Sequence, residues 1–107
     1  MTNLGQMMKQ AQEMQAKMAE LQARMAHVEL TGTAGAGLVS ITLNGKGEMR
    51  RVTIDPSLAK PDEVEVLQDL IAAAANDARA KVEARMQEET RQLMGGLGLP
   101  PGLNLPF

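Results

Sequence analysis

Leu4, Met7, Ala11, Met14, Met18, Leu21, Met25 and Val28 follow one another at alternating intervals of three and four residues. That spacing lays apolar side chains along one narrow edge of a helix, and such a seam needs a second helix against it. Gln, Lys, Glu and Ala fill the positions between, so local propensity agrees with the pattern. No proline interrupts it, and the one weak helix former, Gly5, lies at its start. Fully helical, the seam runs about 37 Å. It uses a quarter of a 107-residue chain without enclosing a core, so the protomer reads as incomplete alone.

Past His27 the pattern changes from helical to alternating. Residues 28–34 alternate as a strand does, and Gly35-Ala36-Gly37 makes a turn. Residues 38–43 are rich in β-branched side chains, with Val39, Ile41 and Leu43 on one face. Asn44-Gly45 is a strong hairpin signal, because a type I′ turn needs positive φ at both central residues. A return strand over residues 48–54 places Val52 and Ile54 on the apolar face, with Arg50 snorkelling from that face and Arg51 on the other. Asp55-Pro56-Ser57 closes the meander, since proline cannot continue a ladder.

After Pro61 the acids Asp62, Glu63 and Glu65 open a second helix, where the macrodipole favours them. Its seam is Val64, Leu67, Ile71, Ala74, Ala78, Val82 and Met86. Its alanine-rich middle admits close approach by another backbone, and Gly95-Gly96 is expected to end it. The tail after it is apolar enough to dock on a surface in extended form.

The sequence thus reads as a single α+β domain over residues 1–107. A helix spans 1–27, a β-meander 28–55, a second helix 61–94 and a Gly/Pro/Leu tail 95–107. The order is α-β-β-β-α, a three-stranded antiparallel meander with two long protruding helices. Strands of six residues span roughly 20 Å, whereas the second helix reaches about 50 Å. The surplus projects, and an isologous homodimer is the commonest way to partner projecting apolar seams. The expected packing seam comprises Leu4, Met7, Met14, Met18, Leu21, Met25, Val39, Ile41, Leu67 and Ile71.

Composition removes several function classes. Phe107 is the only aromatic residue, so base stacking on aromatic platforms is excluded as a main mechanism. With no cysteine and His27 as the only histidine, neither a thiolate nucleophile nor Cys/His zinc spacing exists. No motif places a base beside a nucleophile, and the Met-rich seam reads as adaptable packing rather than a metal site. Neither an enzyme, nor a cofactor, nor a small-molecule substrate is expected. The chain has no secretory h-region and no apolar run long enough for a membrane span, so it reads as cytoplasmic.

The net charge of −2 hides an asymmetry. Residues 1–54 carry six basic side chains against four acidic, residues 55–77 one against six, and the remainder four against three. The sign of each surface therefore matters more than the sum. Lys17 and Arg24 lie one heptad apart flanking the first seam, with Lys9 nearer its other side. Glu13 and Glu20 stand four residues before Lys17 and Arg24, the favourable order for local pairs on a solvated face. Lys81 and Arg85 are like charges at i,i+4, which something anionic must offset. Asp77, Glu88 and Glu89 can do so locally, and phosphate can do so from outside. Lys46, Arg50 and Arg51 cluster at the hairpin, where charge also discourages sheet-to-sheet pairing. With Arg79 and Arg91 these are the candidate phosphate contacts. No helix-turn-helix recognition pattern is visible, which points to backbone contact and shape rather than base readout.

Ala34-Gly35-Ala36-Gly37-Leu38-Val39, the stretch from Val52-Thr53-Ile54 to Leu58, the stretch from Leu67-Gln68 to Asp77-Ala78 and Gly95 to Gly102 together resemble the YbaB/EbfC family of bacterial nucleoid-associated proteins. The Met/Gln/Lys-rich first helix is similar as well. Ala36 stands where many members carry glycine. The resemblance covers nearly the whole chain, and it implies a small homodimer with tweezer-like helices that binds duplex DNA and can alter its shape, with consequences for nucleoid organisation and gene expression. A reading of a different class remains beside it: a coiled-coil adaptor or chaperone-like protein that binds another protein through its Met-rich seam and apolar tail.

Overall fold

Val39, Ile41 and Leu43 form the buried spine of the central strand, and the rest of the fold is arranged to cover them. The computed structural model describes residues 3–96. In chain order these form α1 (Leu4–Met25), β1 (Glu29–Ala34), β2 (Val39–Asn44), β3 (Met49–Ile54) and α2 (Val64–Gly96). Single 3-10 turns at Pro56–Leu58 and Pro61–Glu63 lead into α2. The architecture is α+β, with an antiparallel sheet of order β1-β2-β3.

Side chains on a strand alternate between faces, so the pairing decides which residues meet α2. Val39 lies between Ala34 and Ile54, and Ile41 between Gly32 and Val52. α2 lies across β1 and β2 on that face, placing Ala74 and Ala78 in the core with Leu58, and Leu67, Leu70, Ile71 and Val82 around it. Each fully buried aliphatic side chain contributes about 1.5–3 kcal/mol. β3 stays outside this cover: all six of its residues are exposed, including Val52 and Ile54 on the apolar face.

The hairpin between β2 and β3 differs from the type I′ turn that Asn44-Gly45 suggests. Gly45 does not have positive φ, and in this loop only Gly47 does (φ 85°). Asn44 is the last residue of β2 and is wholly buried. Its Oδ1 accepts from the amides of Lys46 (3.0 Å) and Glu48 (2.9 Å), while its Nδ2 donates to the Ala26 carbonyl (3.2 Å) and to Glu48 Oε1 (2.7 Å). The Gly45 amide donates to the carbonyls of Met25 (2.8 Å) and Val28 (3.0 Å). The hairpin thereby partners the carbonyl of Met25, the last residue of α1, and that of the following residue Ala26, while the carbonyls of Gln22 and Arg24 accept from the amides of Ala26 and His27. Glycine is required at 45 by this approach, since a Cβ there would lie 2.6 Å from the Met25 carbonyl oxygen.

A β-bulge also shifts the register at the start of β3. Thr42 pairs with Arg51 but Leu43 pairs with Met49, so Arg50 is the extra residue and leaves the simple alternation. The Gly35-Ala36-Gly37 turn is as expected, with all three residues at positive φ.

The first seam packs only at its C-terminal end. Leu21 and Met25 are buried and Met14 and Met18 half-buried, whereas Leu4 is 69% and Met7 52% exposed. Among the described residues no element covers that first half. α2 runs 33 residues, through the Gly95-Gly96 pair expected to end it, and the molecule extends 72 × 23 × 17 Å. The apolar tail lies outside the described residues.

Candidate nucleic-acid interface

The ten candidate cations fall into three structural situations. On the protruding helices, Arg24 of α1 and Arg85 of α2 converge on one carboxylate. Glu89 accepts from Arg24 Nη2 at 2.8 Å through Oε2 and from Arg85 Nε at 3.0 Å through Oε1. The Glu89 side chain is only 12% exposed, while those of Arg24 and Arg85 are 58% and 43% exposed. The guanidinium of Arg85, and then that of Arg24, holds the Glu89 carboxyl below the usual range, so it is ionised at neutral pH. Lys17, Glu20 and Leu21 of α1 and Gln92 and Leu93 of α2 complete a groove around this cluster. Farther along α2, Arg91 pairs with Glu88 at 2.6 Å.

At the sheet the cations serve the backbone. The edge strand β1 would present unpaired amides and carbonyls, and α2 supplies partners for two of them. Asp77 Oδ2 accepts from the Thr33 amide at 3.0 Å, Lys81 Nζ donates to the Thr31 carbonyl at 2.9 Å, and the two side chains pair at 3.2 Å. Backbone donation from Thr33, and then Lys81, lowers the Asp77 pKa. Arg51 grips both carboxylate oxygens of Glu29 across the sheet, at 3.1 and 3.4 Å. Arg50, freed by the bulge, reaches the Ala26 carbonyl at 3.4 Å.

Lys9, Lys17, Lys46 and Arg79 are exposed and in no ion pair among the described residues. The structure therefore brings Lys17 and Arg24 to one groove, with Arg85 tied to it through Glu89, places Lys46, Arg50 and Arg51 around the hairpin, and sets Lys9 and Arg79 apart. The i,i+4 partners of Lys81 and Arg85 could be anticipated from spacing. The junction of Arg24 with Glu89 could not, because 65 residues separate them. Among the described residues no group of three or more acids and histidine is placed to hold a metal, and no helix is long and apolar enough to cross a membrane.

The sequence model of the YbaB/EbfC DNA-binding family matches residues 1–97. A nucleoid-associated protein of Paramagnetospirillum magneticum is 63% identical over 107 residues, and one of Rhodospirillum centenum is 62% identical, each alignment covering all of both chains. Among solved structures, an uncharacterized protein of Helicobacter pylori superposes with a TM-score of 0.80 at 25% identity, covering 89% of this chain and all of that one.

Proposed function

We propose, since the chain belongs to the YbaB/EbfC DNA-binding family, that it acts at the nucleoid as a homodimer holding duplex DNA through the phosphate backbone with little sequence specificity. The family match over residues 1–97 carries the DNA-binding part of this reading. Phosphate contact is favoured by chemistry. Residues 3–96 contain no Phe, Tyr or Trp to stack on a base, whereas exposed Lys and Arg lie along both protruding helices. Lys9, Lys17 and Arg79 are available without breaking an internal ion pair, and Arg24 and Arg85 keep donors beyond those given to Glu89. Gripping by helices on two protomers would also couple binding to DNA shape.

The dimer is supported by the asymmetry of the sheet edges. Asp77 and Lys81 close β1, whereas β3 is uncovered, with Met49 58%, Val52 45% and Ile54 36% exposed. An uncovered apolar edge strand is a template for pairing, and a second copy supplies an identical edge about a twofold axis.

Fluorescence anisotropy with a random-sequence duplex of roughly 30 base pairs, titrated across salt, tests the reading. The expected result is affinity falling linearly on a log–log plot, with the slope divided by about −0.9 giving the phosphates neutralised. Absence of binding at low salt would overturn it. Binding indifferent to salt would instead direct attention to the exposed α1 seam as a protein-binding surface.

A further inference from the structure

We infer that Glu89 is a positioning residue for DNA binding: its carboxylate draws Arg24 and Arg85 from separate helices into one phosphate-binding pair. This rests on the reading of the chain as a phosphate-backbone binder. The observation behind it is an inversion of exposure. Glu89 sits within the groove at 12% exposure, with one oxygen given to each arginine, and the two guanidiniums lie outside it at 58% and 43%. Two guanidiniums brought together repel one another, and the carboxylate beneath them offsets that repulsion while leaving each with unused N–H donors. Arg24 donates to it through Nη2 and Arg85 through Nε, so both retain Nη1 with its hydrogens for an outside acceptor. Lys17 on the same groove adds a third positive charge, and Glu20 a second negative one.

The alternative role for an acid beside two arginines is to compete with phosphate, and the two roles give opposite signs. Glu89→Gln keeps the size and an acceptor oxygen but removes the charge. A competitor's loss would strengthen DNA binding, as would any simple gain of positive charge. A positioning role requires the reverse: Glu89→Gln weakens binding about threefold or more at fixed salt and makes the salt slope shallower by about one to two phosphates. Glu83→Gln is the matched control, because Glu83 is exposed on the same helix, in no ion pair among the described residues, and changes net charge equally. It should bind as well as the parent or slightly better.

Whether Glu89 acts through the two arginines is tested by a double-mutant cycle. In an Arg24→Ala/Arg85→Ala background Glu89→Gln should no longer weaken binding and, like Glu83→Gln, should leave affinity unchanged or slightly higher, whereas a loss as large as in the parent would mean that Glu89 acts by another route. Helical content and oligomeric mass are checked for each variant. Tighter binding by Glu89→Gln, equal effects of the 83 and 89 variants, or additivity in the cycle would overturn the inference. Failure of the parent protein to bind DNA at low salt would instead overturn the reading on which it rests.

Discussion

Gly32 of β1 faces Ala78 of α2 so closely that a Cβ on the glycine would overlap the Ala78 amide nitrogen and the Ala74 carbonyl oxygen. The helix therefore rests backbone to backbone on the strand, and Ala74 and Ala78 are both fully buried at the contact. Because the obstruction is main chain, no rotamer change relieves it. Gly32→Ala should destabilise the fold by about 1–3 kcal/mol or more, the range for overpacking a tight core. Urea denaturation followed by helical circular dichroism checks this, and unchanged stability would mean that α2 does not sit this near the sheet.

How much of this could be read in advance depends on how far apart the interacting groups lie. Val39, Ile41 and Leu43 announce a strand because alternation is a local property. The bulge at Arg50 is invisible locally, since it exists only in the pairing of Leu43 with Met49. Asn44-Gly45 suggests a turn by its dipeptide chemistry. Its actual geometry is set by the carbonyls of Met25, the last residue of α1, and of Ala26 just after it, which claim the Gly45 amide and the Asn44 side chain. At the candidate interface the cations themselves are evident, and so is the Arg85–Glu89 spacing. That Arg24 shares the same carboxylate follows only from the folded path of two helices.

Asp77 ties the outer edge of β1 to α2, and its pKa is lowered first by the Thr33 amide and then by Lys81. A carboxylate with a folded pKa below its unfolded value, about 3.9, binds fewer protons in the native state. Its stabilisation is therefore complete above that unfolded value and is lost as the pH falls through the folded one. Asp77→Asn keeps an acceptor for Thr33 but loses the charge facing Lys81. The stability difference between the parent and Asp77→Asn should be largest near neutral pH and narrow as the solution is acidified through this window. Urea midpoints measured across that pH range supply the check, and a difference independent of pH would remove the electrostatic part of the assignment.

Val52 is 45% exposed on an edge strand whose apolar face α2 leaves uncovered. If β3 pairs with β3 of a second copy, the site is solvent-facing in the protomer and buried in the dimer. Val52→Lys then leaves the protomer fold intact but places an ammonium group in the interface, where an unpaired charge is strongly unfavourable. Sedimentation equilibrium should give the parent twice the 11.5 kDa protomer mass, and Val52→Lys should dissociate at concentrations about tenfold higher or more. DNA binding supplies a second reading of the same event. Each protomer contributes one set of phosphate contacts, so the dissociated variant should show a log–log salt slope about half that of the parent, despite its added positive charge. An undiminished slope with an intact dimer would place the contact between copies elsewhere, and the exposed first half of the α1 seam is an apolar surface among the described residues that could provide it.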